Sequence, residues 1–125
     1  MTKTLDDLYE EAIAAFRQRQ LQRDNTYVAD LIEVLWPLGV TGLSRQQVIN
    51  LLNRSRRNKG LPIPERFEQA LQSAFNQHCL ESAVFKKRNV PADGLFTSKR
   101  NGNSATWLVH RERAKEWLIA KNKTL

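Results

Sequence analysis

A mainly α fold carrying one small β-hairpin is what this sequence predicts, on three observations. Apolar residues recur at spacings of three and four, the period of an amphipathic helix. Helix-start and helix-stop residues punctuate that pattern at Ser44 with Gln47, at Pro64 and at Gly39. Near the C-terminus, Asn101-Gly102 sits in the middle of a run from Leu95 to Val109 that reads as a tight hairpin. At 125 residues the chain is long enough for one domain with a real core. We divide it into an N-terminal helix (4–23), a core (26–109) and a C-terminal helix (110–123).

Thr4 is placed to cap the first helix, with Asp6 and Asp7 in its first turn, where the helix dipole favours anions. Leu5, Leu8, Tyr9, Ala12, Ile13 and Phe16 form one apolar stripe on a charged helix ending near Arg23. That stripe has to be covered, either by its own domain or by a second copy of the chain. A second helix is predicted from Thr26 to Leu38. Tyr27, Leu31, Leu35 and Leu38 share a face that Val28, Ile32 and Trp36 widen, which predicts burial on two sides. Pro37 weakens the last turn and Gly39 ends it.

Leu43 to Val48 is a strong helix start: Ser44 caps, Gln47 completes a capping box, and Leu43 staples onto Val48. Val48, Leu51 and Leu52 are expected to face inward, and the helix to dissolve into residues 53–60. Arg54, Arg56, Arg57 and Lys59 in that segment suit a helix C-terminus and equally make a phosphate-gripping surface. Gly60-Leu61-Pro62-Ile63-Pro64 is the turn, with Pro64 at the first position of the next helix, which runs through Glu65 to Cys79. Phe67, Ala70, Leu71, Ala74, Phe75 and His78 fill its inner face. Glu65, Gln69, Gln72, Ser73 and Asn76 line the outer face, with Arg66 at its margin. Gln and Asn can pair bidentately with adenine in the major groove, and Arg with guanine; a solvated polar face has the same composition.

Residues 80–94 read as a long connection anchored by Val84 and Phe85, with Lys86, Lys87 and Arg88 in reach of a phosphate backbone. In the hairpin, a two-residue turn at Asn101-Gly102 pairs Arg100 with Asn103, Ser98 with Ala105 and Phe96 with Trp107. The two aromatics then share a face and Lys99 and Arg100 reach the tip. A final helix from His110 sets Ala114, Trp117 and Leu118 on a short apolar seam.

The net charge of +7 is uneven. Up to Val34 there are four Lys/Arg against seven Asp/Glu; from Leu35 onward, sixteen against six. An acidic first helix on a basic body points to a polyanionic partner for the body alone. No apolar run is long enough for a bilayer, and the first residues lack a charged-then-apolar signal pattern, so the expected location is the cytoplasm, with no membrane partner. The single Cys79 ends an apolar helix face and reads as a small buried thiol. His78 and His110 have no zinc-site spacing, and there is no phosphate-binding loop, dinucleotide turn or nucleophile elbow. We therefore expect no catalytic residues, no metal and no cofactor, and read the chain as not an enzyme.

Helix, helix, then a hairpin with a basic tip resembles the winged helix-turn-helix superfamily, over roughly 27–109. Asn76-Gln77-His78-Cys79-Leu80-Glu81-Ser82, then Gly94-Leu95-Phe96 and Trp107-Leu108, look like winged-helix modules attached to bacterial restriction and HNH-type nucleases. The long 80–94 connection departs from the compact pattern of that fold. The resemblance implies DNA binding. By position, the recognition helix is Arg66, Gln69, Gln72, Ser73 and Asn76, and the wing is Lys99, Arg100, Asn101 and Asn103. Arg54, Arg56, Arg57, Lys59, Lys86, Lys87 and Arg88 are then the candidates for contacts to the DNA backbone. The expected function is sequence-specific binding of double-stranded DNA in transcriptional control, by a homodimer formed through the N- and C-terminal helices. A winged-helix protein-docking module is the alternative, and a third is an accessory DNA-binding subunit of a nuclease or mobile-element system.

Overall fold

The computed structural model describes residues 3–20, 26–38, 41–101 and 104–124, and within them the chain is mainly helical with a small antiparallel sheet. Helix α1 (Leu5–Gln20) is capped as its sequence predicts. The Asp7 amide donates to Thr4 Oγ1 at 3.1 Å and the Thr4 amide to Asp7 Oδ2 at 3.2 Å, a reciprocal pair that satisfies two otherwise orphaned donors. The apolar stripe is covered from within the chain. Tyr9 stacks on Trp36 with ring centroids 3.8 Å apart, and Phe16 meets Trp117 of the last helix, α6 (Arg111–Thr124), at 5.4 Å. Ala114 and Leu118 of α6 are fully buried with it. Between the two alternatives for that stripe, packing on its own domain is the one observed.

Helix α2 (Thr26–Leu35) is followed by a 3-10 turn at Trp36–Leu38, so the α-helix ends three residues earlier than expected. Pro37 offers no amide to continue the ladder. Arg111 occupies the Trp36 carbonyl instead, donating from Nε at 2.9 Å and Nη2 at 2.6 Å. The proposed stop at Gly39 lies outside the described residues.

Gly42, at φ +66°, brings the chain so close to the sheet that a Cβ there would lie 2.5 Å from the Trp107 carbonyl oxygen. It leads into β1 (Leu43–Ser44), a strand too short to be visible in the sequence. The capping box is present: Ser44 Oγ accepts from the Gln47 amide, and Gln47 Oε1 from the Ser44 amide. Helix α3 (Arg45–Asn58) does not dissolve at Asn53. It runs on to a left-handed Gly60 (φ +70°), where the Gly60 amide bonds Arg57 O and the Leu61 amide bonds Arg56 O. This Schellman closure satisfies carbonyls that an earlier end would have orphaned. Val48, Ile49 and Leu52 are buried and Leu51 is 40% exposed, because at 100° per residue Leu51 falls on the edge of the face they define.

Helix α4 (Phe67–Gln77) starts after Pro64, which heads a turn closed by the Phe67 amide on Pro64 O, and it ends before Cys79. The 80–94 connection is not an open loop. It contains α5 (Ala83–Arg88), capped by Ser82, and a 3-10 turn at Pro91–Asp93. Phe85 anchors it, whereas Val84 is 48% exposed.

Strands β2 (Phe96–Asn101) and β3 (Ser104–Val109) form the hairpin, and β1 pairs on the far side of β3 to give the order β1-β3-β2. The register differs from the predicted one by two residues: Asn101 faces Ser104, Ser98 faces Trp107 and Phe96 faces Val109. A two-residue shift leaves every side chain on its face, so the aromatic pattern cannot choose between the two registers. Contacts outside the hairpin do choose: Leu43 pairs with Trp107, and Cys79 bridges Phe96. Phe96 and Trp107 share a face but do not pair directly. Phe75 of α4 stacks against both, at 5.2 and 3.9 Å. Truncating a central aromatic of this kind costs about 3–5 kcal/mol.

Candidate nucleic-acid interface

Phe67, Leu71 and Phe75 sit in the core and fix the rotation of α4. Its outer ridge therefore turns away from the sheet. Gln69 and Ser73 are exposed, and Gln72 and Asn76 are half-buried. Arg66 is exposed at the helix N-terminus, where it gives no side-chain cap. The half-buried pair belongs to a hydrogen-bonded relay. Arg45 Nε donates to Gln72 Oε1 at 2.7 Å, and Gln72 Nε2 donates to Asn76 Oδ1 at 2.9 Å. Arg45, Gln69, Gln72, Ser73, Asn76 and Val84 together line a shallow cleft of about 300 Å³, in which α3, α4 and α5 meet.

Arg45 was not among the residues the sequence singled out, although a signal was there. A cation in the first turn of a helix opposes the dipole, so its presence asks for another reason. Here that reason is a reach across to α4, with Glu68 Oε1 4.0 Å from Nη1.

The basic cluster of α3 divides in two. Arg54, Arg57 and Lys59 are exposed. Arg56 turns inward: its guanidinium lies 5.0 Å from the Phe67 ring centre and 5.8 Å from that of Tyr27, and Nη1 donates to Pro62 O at 2.9 Å. Its geometry clamps the turn before α4. The second cluster divides likewise. Lys86 and Lys87 are exposed on α5, whereas Arg88 bonds Gln77 O and Asp93 Oδ2, each at 2.6 Å, tying the end of α4 to the Pro91–Asp93 turn.

In the hairpin, alternation along β2 separates the two tip cations. Arg100 shares the face of Phe96 and Ser98, which is the α4 side, while Lys99 lies on the opposite face with Thr97. There Lys99 lines a hollow with Leu38, Leu108 and Arg111. The remaining wing candidates, the side chain of Asn101 and all of Asn103, lie outside what is described.

The titratable groups near α4 are structural. Burial pushes the His78 imidazole below its ordinary value, and its Nδ1–H donates to Asp93 O at 2.9 Å. Burial pushes the Cys79 thiol up to about 11, so it stays protonated. Burial raises the Glu81 carboxyl, but hydrogen bonds from the Thr97 hydroxyl and the Ser98 amide outweigh it and hold the group below its usual range. Through the Ser98 amide, Glu81 thereby occupies a backbone donor on the outer edge of β2, beyond the point where Cys79 bridges Phe96.

Comparison with protein-family models, with curated proteins and with solved structures finds no match. Among the described residues no cluster of three or more His, Cys, Asp or Glu is placed to hold a metal ion, and no helix is long and apolar enough to cross a membrane.

Proposed function

We propose that this chain binds double-stranded DNA sequence-specifically as a winged helix-turn-helix protein, in transcriptional control. The carrying observation is the outer ridge of α4: Gln69, Gln72, Ser73 and Asn76 point away from the core in a cleft shared with α3 and α5. A helix packed through one face on a three-stranded sheet offers its other face to a major groove, whose width admits a helix. The element order supports the same reading, since α2, β1, α3 and α4 precede a hairpin that folds onto α4. Exposed cations flank the ridge in sequence: Arg54, Arg57 and Lys59 on α3 and its cap, Arg66 at the start of α4, Lys86 and Lys87 on α5, Arg100 on β2. These supply the phosphate contacts that such a protein needs. The Lys59–Arg66 connection is longer than the three or four residues usual between such helices, and Arg56 stiffens it.

A salt-titrated gel shift with random and genomic duplexes tests this. Binding should weaken steeply with salt and persist on a selected subset of sequences. Equal affinity for all duplexes would reduce the reading to non-specific binding. No binding at all would favour the docking alternative, for which exposed apolar residues such as Leu61 and Ile63, 48% and 37% exposed in the turn before α4, offer a contact. A homodimer remains part of the proposal, but it needs a surface other than the α1 stripe and α6 seam, which bury each other. Sedimentation of the intact chain at micromolar concentration, free and on DNA, tests that part, and a monomer in both states removes it.

A further inference from the structure

Arginine has only donors, and this fixes the polarity of the relay on α4. Because Arg45 Nε meets Gln72, the atom facing it must be the amide oxygen. The nitrogen of Gln72 therefore faces Asn76, and the atom it meets there must be Oδ1. Both ends of the Gln72 amide are thus engaged inside the protein. Asn76 keeps its Nδ2 hydrogens, which have no partner among the described residues. The same cleft contains one aliphatic side chain, Val84, 48% exposed on α5 among otherwise polar and cationic neighbours. Packing within the chain does not explain Val84, since its neighbour Phe85 is the residue that anchors α5.

A donor beside an apolar group matches one base edge. In the major groove, thymine presents the O4 acceptor and the 5-methyl group; adenine presents an acceptor and a donor, guanine two acceptors, and cytosine a donor. We propose that this cleft reads the major-groove edge of thymine, with Asn76 Nδ2 donating to O4 and Val84 covering the 5-methyl group. Gln72 is then a positioning residue, which holds Asn76 with its nitrogen outward. The proposal rests on the DNA-binding reading above and names the base that this part of the ridge recognises. It also revises the expectation that Gln72 and Asn76 read adenine: the base pair and the groove are the same, and the base contacted is the partner thymine.

The test starts from a duplex selected by the intact protein out of a random pool. Each thymine is replaced singly by deoxyuridine, which keeps O4 and loses the methyl, and each adenine by 7-deazaadenine, which loses N7. At one thymine, deoxyuridine should weaken binding about fourfold, the value of one buried methyl-sized group. Val84→Ala should weaken binding to the unmodified duplex by a similar factor and should no longer respond to deoxyuridine at that position. The 7-deazaadenine opposite that thymine should have no effect. Specific binding that is indifferent to every deoxyuridine would overturn the thymine assignment and leave the DNA reading standing. So would a loss with 7-deazaadenine in place of deoxyuridine. A Val84→Ala protein that still senses the missing methyl would remove Val84 from the contact. Failure to select any duplex would overturn both.

Discussion

Arg45 Nε and Gln72 Oε1 lie 2.7 Å apart, joining the first turn of α3 to the middle of α4 across 27 residues of sequence. A charge-assisted hydrogen bond of this kind holds a long amide in one orientation. Arg45→Ala should therefore weaken binding to the preferred duplex by about 1–3 kcal/mol, the range for one well-made base contact. Arg45→Lys should not restore it, because a point charge lacks the fork that places Nε on Gln72. Adding Gln72→Ala to Arg45→Ala should cost little more, since both belong to one chain of bonds. A double-mutant cycle on the preferred site measures this, and full additivity would mean that the two residues act separately.

The hairpin cations should be unequal. Arg100 is on the α4 side of β2 and Lys99 on the other. Arg100→Ala should reduce the slope of log affinity against log salt by about one and act alike on all duplexes. Lys99→Ala should leave the slope unchanged. Titrations at several salt concentrations decide between this and a tip whose two cations both reach phosphate.

Adjacent arginines of α3 should also separate. Arg56 is held by Pro62 O and by two rings, whereas Arg57 is exposed. Arg56→Ala should destabilise the fold by about 1–3 kcal/mol through the lost carbonyl bond and ring packing. Arg57→Ala should leave stability within about 0.5 kcal/mol and lower only the salt slope of binding. Urea midpoints and salt titrations of the two variants measure the contrast.

His78 makes stability depend on pH. Its folded-state pKa is depressed by burial, so the unfolded chain binds the proton more readily. The contribution is full above the ordinary value of 6.5 and is lost as pH falls below it, through the folded-state pKa. Glu81, also depressed, adds stability above its ordinary 4.5 that is lost as pH falls further. The urea midpoint should thus drop in the intact protein as pH falls below 6.5. In His78→Gln that first drop should vanish while the acid-side loss stays.

Capping and period made much of the chain legible. The Thr4 and Ser44 caps and the inward faces of α1, α2 and α4 follow from side chains within four residues of one another, which are local interactions. The outer ridge of α4 is legible for the same reason, because the buried positions dictate which residues remain outside. What the sequence alone left open depends on partners distant along the chain. Parity permits two hairpin registers, and Leu43 and Cys79 select one. Composition cannot separate Arg54 and Arg57 from Arg56, and only the approach of Phe67 and Pro62 does. The cover over the α1 stripe comes from Trp36 and Trp117, the latter about a hundred residues away in sequence but 5.4 Å from Phe16 across the fold. Arg45 enters the candidate site by the same route: a helix start in the sequence, and in the folded chain the fixed end of a relay to Asn76.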